Sequence, residues 1–192
     1  MMVKICGITN EDDALAAIAG GAAALGLNFC RSSPRYISPE DAERLLQALP
    51  AAVWKVGVFM HEPRERVSAV VQRLGLDVAQ LHGEEPPESY PESVRVWKAI
   101  RVAAEIDMDR WNGSPAEALL LDGPAPGRTF NWALAAHGRK KIIIAGGLDA
   151  GNVRQAIATA RPWGVDACSR IESSPGRKDH RKMSEFLKAA LE

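Results

Sequence analysis

Short apolar, β-rich runs alternate along the chain with stretches whose apolar positions recur at helical spacing. Val3 and Ile5 open a strand that must end at Cys6-Gly7, and Asn10 followed by Glu11, Asp12 and Asp13 reads as an N-cap with an acidic first helical turn. That helix carries Leu15 and Ile18 among alanines and stops at Gly20-Gly21, before a second buried strand from Ala23 to Phe29. The polar loop from Cys30 to Ile37 leads to Ser38-Pro39, a cap serine with proline at the first helical position, and Leu45, Leu46 and Leu49 share one helix face. Val53 to Phe59 predicts a third strand, and Val67, Val70, Val71 and Leu74 follow at i, i+3, i+4 and i+7. Asp77 to Leu81 predicts a fourth strand, Glu84 to Glu88 leads into a short helix, Val94 to Ile100 is the fifth strand, and Val102 to Trp111 reads as a degraded helix. The apolar run Ala118 to Leu121 ends at Asp122-Gly123, Phe130 to His137 predicts a helix, and Lys141 to Ala145 is the seventh strand. A helix through Val153, Ile157 and Ala160, an eighth strand from Gly164 to Cys168, and a last helix from about Asp179 to Leu191 that buries Met183, Phe186, Leu187 and Leu191 complete the pattern.

Repeated βα units without low-complexity linkers predict an α/β fold, a compact single-domain (βα)8 TIM barrel over residues 1–192. The chain is short beside the roughly 250 residues usual for that architecture, so its loops must be trimmed. The rival, an open doubly wound sheet, lacks a GxGxxG after the first strand.

Composition narrows the function. With 46% hydrophobic and 25% charged residues the chain is ordinary for a globular protein, and Lys plus Arg balance Asp plus Glu at 24 each, leaving no basic field for nucleic acid. No apolar stretch would span a bilayer and no export leader is recognisable, so the expected address is the cytoplasm, with no membrane partner. Cys6, Cys30 and Cys168 are odd in number, widely spaced and without CxxC or His-rich company, which predicts reduced thiols rather than disulfides or a metal site.

In a (βα)8 barrel the strand C-termini converge on one mouth, which brings Cys6, His82 and Asp122 together. Gly146-Gly147 before a helix start, and Ser169 after the eighth strand, occupy the two adjacent loops where such barrels bind phosphate through backbone N–H groups, implying a phosphorylated small-molecule substrate. Bland alternatives exist: Cys6 as a small buried apolar side chain, Asp122 as a turn carboxylate, the glycine pair as close strand–helix packing, and His82 as a strand-end histidine.

The blocks Lys4-Ile5-Cys6-Gly7-Ile8-Thr9, Ser33-Pro34-Arg35-Tyr36-Ile37, Val56-Gly57-Val58-Phe59, Gln80-Leu81-His82-Gly83-Glu84, Ala145-Gly146-Gly147-Leu148 with Asn152-Val153, and Pro175-Gly176-Arg177-Lys178-Asp179 resemble, in order and over nearly the whole chain, the phosphoribosylanthranilate isomerases of tryptophan biosynthesis. The resemblance implies a cofactor-independent Amadori rearrangement of N-(5-phosphoribosyl)anthranilate to 1-(2-carboxyphenylamino)-1-deoxyribulose 5-phosphate. The family's general acid falls on Asp122, which would protonate the ribose ring oxygen, and its general base on Cys6, which would remove the C2 proton. Cys6 must then be held partly as thiolate by a neighbour such as Lys4, and Asp122 must keep a proton. Arg35 matches the arginine that pairs with the anthranilate carboxylate. Gly146, Gly147, Ser169 and Arg170 fall on the phosphate loops, Asp166 contacts substrate or orders the mouth, and His82 contacts substrate without a catalytic role. Trp54, Trp97, Trp111 and Trp163 read as packing residues and Trp132 as a helix anchor. The family's barrels are monomers or homodimers.

Two departures stand out. Asp122-Gly123-Pro124-Ala125-Pro126-Gly127-Arg128-Thr129-Phe130-Asn131-Trp132 is shorter than the usual glycine-rich loop, and its prolines stiffen a flap that should close over substrate. Arg170 in Cys168-Ser169-Arg170-Ile171-Glu172 replaces a glycine of the phosphate loop, where it would either obstruct backbone approach, with strain at any positive φ, or bind the phosphate itself. These departures keep open a catalytically weakened sugar-phosphate-binding paralogue. Another sugar-phosphate isomerase, such as a histidine-pathway enzyme built on paired aspartates, is disfavoured by Cys6.

Overall fold

A computed structural model describes residues Met1–Glu192. Eight parallel strands close into a barrel in sequence order: β1 (Met2–Cys6), β2 (Ala24–Asn28), β3 (Trp54–Phe59), β4 (Val78–Leu81), β5 (Arg95–Arg101), β6 (Ala118–Asp122), β7 (Lys141–Ile144) and β8 (Gly164–Ala167), with β8 returning to pair with β1. The connecting helices are α1 (Glu11–Ala19), α2 (Pro39–Gln47), α3 (Arg64–Leu74), α4 (Met108–Asn112), α5 (Val153–Ala160) and α6 (His180–Leu191). Between β8 and α6 the chain makes a small antiparallel hairpin, β9 (Glu172–Ser174) and β10 (Arg177–Lys178), turned by Pro175-Gly176. No helix is long and apolar enough to cross a membrane.

Local chemistry accounts for the helix ends. The Asn10 side chain accepts the Asp13 N–H at 3.0 Å, Ser38 caps α2 ahead of Pro39, Asp179 accepts two N–H groups of α6, and Gly75 closes α3 in the left-handed conformation. Three expected helices shrink. Pro86 and Pro87 leave only a 3₁₀ turn at Pro87–Ser89, because prolines lack the N–H groups a longer helix needs. The degraded helix reduces to α4. Trp132–His137 is a 3₁₀ turn bounded by the Asn131 cap and Gly138, too short to nucleate an α-helix.

Strand alternation builds two cores. Outward side chains meet the helices in a large apolar layer, while Met2, Ala24, Val56, Val78, Trp97, Ala118, Leu120 and Ile143 point into the barrel. Trp54, Trp97 and Trp163 pack against one another there, with ring centroids 5.8–6.1 Å apart. They fill the end where the strands begin and leave the C-terminal end open, so three of the expected packing tryptophans serve as a floor beneath the mouth. Two leucines do otherwise than periodicity suggests. Leu191, expected in the core, is 47% exposed in the last turn of α6, and Leu15 is also exposed because Ala14 and Ala17 are the residues α1 sets against the barrel. Small side chains there let α1 lie close to the sheet.

Trp97→Ala should therefore cost about 3–5 kcal/mol in urea unfolding, the range for emptying a large aromatic site, whereas Leu15→Ser should stay within about 0.5 kcal/mol. Equal costs for the two would contradict this core assignment.

Candidate active site

The site begins at the seam that closes the barrel. The β1–β8 register pairs Lys4 with Asp166 and Ile5 with Ala167, so Cys6 comes abreast of Cys168 one residue further on. Paired residues of parallel strands share a face, and every second residue returns to it. Lys4, Cys6, Asp166 and Cys168 therefore all face inward at the mouth. Lys4 Nζ meets Asp166 Oδ1 at 3.0 Å, fully buried. Gly26 on β2 makes the room: a β-carbon there would lie 2.7 Å from Cys6 Sγ and 3.0 Å from Lys4 Nζ.

Burial and charge set the protonation of this group. The Cys6 thiol is held well below its ordinary range, first by a hydrogen bond from Cys168 and then, against burial, by the Lys4 and Lys178 ammonium groups. Burial pushes Asp166 up to about 7, opposed by Lys4 but reinforced by the negative charge of Cys6. Burial alone would lower Lys4, yet Asp166 and Cys6 outweigh it and keep the ammonium charged. One cation thus serves two acids in a dry space: the thiol carries the negative charge while the carboxyl is poised near neutrality.

Asp122 ends β6 on another side of the mouth, its carboxylate one-quarter exposed. Its Oδ1 accepts the Gly123 N–H at 2.9 Å and its Oδ2 lies 3.3 Å from His82 Nε2. His82, expected either to contact substrate or to be a plain strand-end histidine, is the side chain that steadies Asp122. Arg35 projects from the loop after β2, where Asn28 donates to Ser33 Oγ at 3.1 Å and Ser33 Oγ accepts the Arg35 N–H at 3.2 Å. Glu172 grips the guanidinium through Nε and Nη2 at 2.6–3.1 Å. That leaves the guanidinium's other edge for a second planar anion. Burial raises the Glu172 carboxyl, but the Arg35 hydrogen bonds and the Lys178 charge, with Lys178 Nζ 3.0 Å away, bring it below its ordinary range.

On the far side, Gly146 and Gly147 both adopt positive φ, and their N–H groups donate to no acceptor within the protein. Both glycines are also sterically required, since a β-carbon on Gly146 would sit 2.2 Å from Gly123 N and one on Gly147 2.7 Å from Gly127 O. Close packing and free amides therefore coexist in one pair. Arg170 has no positive φ, so the strained alternative does not arise; its Nε lies 3.2 Å from Asp149 Oδ2, half exposed. The shortened loop after β6 folds as a turn in which Arg128 N–H reaches Ala125 O at 3.0 Å, with Pro126 and then Gly127 at φ +71° in the central positions. That is type II turn chemistry. It lays Gly127 against Gly147, Ser169 and Arg170, so this loop lies over the mouth.

Cys6, Arg35, His82, Asp122, Gly146, Gly147, Asp166, Ser169 and Arg170 all line one cavity of about 290 Å³. No three His, Cys, Asp or Glu side chains converge to hold a metal ion. Sequence reasoning gave no role to Glu172, Lys178 or Cys168. The first two come to the site only through the β9–β10 hairpin, but Cys168 was signalled by the shared spacing of Lys4 and Cys6 on one strand with Asp166 and Cys168 on another.

Comparison with known proteins places this cavity in context. Residues 3–189 match the family model described as N-(5′-phosphoribosyl)anthranilate isomerase. The N-(5′-phosphoribosyl)anthranilate isomerase of Solibacter usitatus (strain Ellin6076) is 52% identical over 99% of this chain and 97% of its own length. The crystal structure of phosphoribosyl anthranilate isomerase from Thermus thermophilus superposes with a TM-score of 0.94 at 39% identity, covering 100% of this chain and 98% of that one. A phosphoribosyl anthranilate isomerase in complex with reduced 1-(o-carboxyphenylamino)-1-deoxyribulose 5-phosphate has a TM-score of 0.91 at 42% identity, with the same coverage. A structure of monomers generated from the dimeric enzyme of Thermotoga maritima has a TM-score of 0.90 at 42% identity, again covering 100% and 98%.

The electrostatics predict how Cys6 reacts. Iodoacetamide should alkylate Cys6 with a midpoint below the roughly 8.5 of an ordinary thiol. Lys4→Met removes a positive charge that favours thiolate, so the midpoint must rise and the rate at neutral pH fall. Peptide mass spectrometry across a pH series reads both, and an unmoved midpoint would remove Lys4 from the account.

Proposed function

Because the chain belongs to the N-(5′-phosphoribosyl)anthranilate isomerase family, we infer that its cavity carries out the family's rearrangement with the side chains described above. The protein is an isomerase of tryptophan biosynthesis that converts N-(5′-phosphoribosyl)anthranilate to 1-(2-carboxyphenylamino)-1-deoxyribulose 5-phosphate. The observation that carries the residue assignment is that one cavity holds the Cys6 thiol, the Asp122 carboxyl and Arg35, with the Lys4 ammonium buried next to Cys6.

Asp122, steadied by His82, gives a proton to the ribose ring oxygen as the C1–O bond breaks. The nitrogen lone pair closes the electron count as an iminium. The Cys6 thiolate then takes the proton from C2, and those electrons neutralise the iminium to an enolamine, which tautomerises to the ketone product. Lys4 holds the thiolate before the step and Asp166 afterwards, when the charge on sulfur is lost. The Asp166 oxygen not engaged by Lys4 also offers an acceptor to a substrate hydroxyl. The free edge of Arg35 takes the anthranilate carboxylate, and the amides of Gly146 and Gly147, with Ser169 and the Arg170 guanidinium, take the phosphate. The reaction needs no cofactor. Residues 1–192 act as one barrel domain, in the cytoplasm, as a monomer or homodimer.

Fluorescence loss from freshly generated phosphoribosylanthranilate is the direct assay. Cys6→Ser and Asp122→Asn should each lower kcat by about 10²–10⁴, the scale of general acid–base catalysis. A wild type without turnover at saturating substrate would instead favour the weakened binding paralogue. Arg170→Gly should raise KM by about tenfold to a hundredfold, the worth of one charge-assisted hydrogen bond, with kcat nearly unchanged. A fall in kcat at constant KM would refute the phosphate role.

A further inference from the structure

Two thiols at the mouth have a chemistry that acid–base catalysis does not require. The Lys4↔Asp166 and Ile5↔Ala167 register brings Cys6, the last residue of β1, abreast of Cys168, the first residue past β8, and both line the same cavity. Neighbouring strands run about 4.8 Å apart, inside the roughly 4.4–6.8 Å between α-carbons that a disulfide spans. Each thiol shifts the other, Cys168 favouring the Cys6 thiolate and that charge holding the proton on Cys168. Cys168 Sγ also lies 3.9 Å from Lys178 Nζ, so a cation stands beside each sulfur. Both cysteines line the substrate cavity, which gives a small solute a path to Cys6 although little of that residue is exposed elsewhere.

We propose that Cys6 and Cys168 form a reversible oxidation site for hydroperoxides, with Cys6 as the attacking thiol and Cys168 as the resolving one. In the first step the Cys6 sulfur attacks the peroxide, the O–O bond breaks, and with one proton the products are a Cys6 sulfenic acid and an alcohol, or water when the peroxide is hydrogen peroxide. In the second, the Cys168 thiol attacks that sulfur, an S–S bond forms, the S–OH bond breaks, and water leaves with the thiol's proton. The peroxide is the two-electron oxidant throughout. Cys168 thereby protects Cys6 from oxidation to sulfinic acid, and two equivalents of an external thiol restore both cysteines. Lys4 and Lys178 favour the first step by stabilising thiolate. The proposal goes beyond the role of Cys6 as base and does not depend on it.

The test treats the protein with a small excess of hydrogen peroxide at neutral pH, blocks remaining thiols by alkylation, and maps peptides without reduction. The expected result is a Cys6–Cys168 cross-linked peptide with Cys30 alkylated, together with loss of turnover that dithiothreitol reverses fully. In Cys168→Ser the same treatment should drive Cys6 to sulfinic acid that dithiothreitol does not recover. A cross-link through Cys30, or Cys6 sulfinic acid in the wild type at the same rate as in Cys168→Ser, overturns the proposal. Because peptide mapping of the wild type decides the matter, it does not hang on the variant folding. A cross-link that leaves turnover intact would uphold the oxidation site and overturn the base assignment instead.

Discussion

A fully buried ammonium inside a barrel is the constraint around which the mouth is built. Taking Lys4 out of water costs several kcal/mol before any partner is counted, and an ion pair broken at such a site typically costs about 3–5 kcal/mol. The chain supplies Asp166 at 3.0 Å from the last strand and Cys6 from the same strand as the lysine, with Gly26 leaving space for the lysine and Cys6. Barrel closure is what brings the first and last strands into register. The same hydrogen-bond ladder that completes the fold thus also completes the charge set of the site.

A second buried cluster has the opposite count. Around Lys4 one cation faces two acids; around Glu172 one carboxylate faces two cations, Arg35 and Lys178. Cys168 lies between the two, and Lys178 helps hold Cys6 as thiolate while its own partner is Glu172. The hairpin that delivers Lys178 is itself fixed by Asp13. That carboxylate accepts the Lys178 backbone N–H at 2.8 Å and sits 2.8 Å from His180 Nε2. A residue that reads as a helix-dipole aspartate in the first turn of α1 is therefore buried, and it ties the start of the chain to its end.

What the sequence made legible follows from range. Strand alternation and cap chemistry are local, so eight strands and the principal helices could be read, and with them Cys6, His82 and Asp122 as strand-end residues. The role of Arg35 came from family likeness, whereas Gly146-Gly147 and Ser169 could be placed as phosphate loops from the barrel pattern alone, and all of them line one cavity. What was not legible is set by contacts between distant segments. Periodicity marks Leu191 as apolar but not that the last turn of α6 runs past the barrel, and it marks Leu15 without showing that Ala14 and Ala17 are the contact face. The grip of Glu172 on Arg35 joins residues 137 apart in sequence, and no local pattern announces it. Prolines 86 and 87 did carry a local signal against the helix expected there.

The shortened loop after β6 shows how a compact barrel resolves a conflict between economy and closure. A long glycine-rich flap can open widely and must lose conformational entropy each time it closes over substrate. Here Pro124 and Pro126 restrict the open ensemble in advance, and Gly127 supplies the one positive φ the turn requires. The loop is docked on Gly147 and beside Ser169 and Arg170. Stiffening therefore does not prevent closure; it moves the ordering cost from binding to folding. Arg170 belongs to the same arrangement. With Asp149 it spans the loops after β7 and β8 by charge, at a position where a glycine offers only backbone, so an ion pair as well as main chain fixes the phosphate end of the cavity.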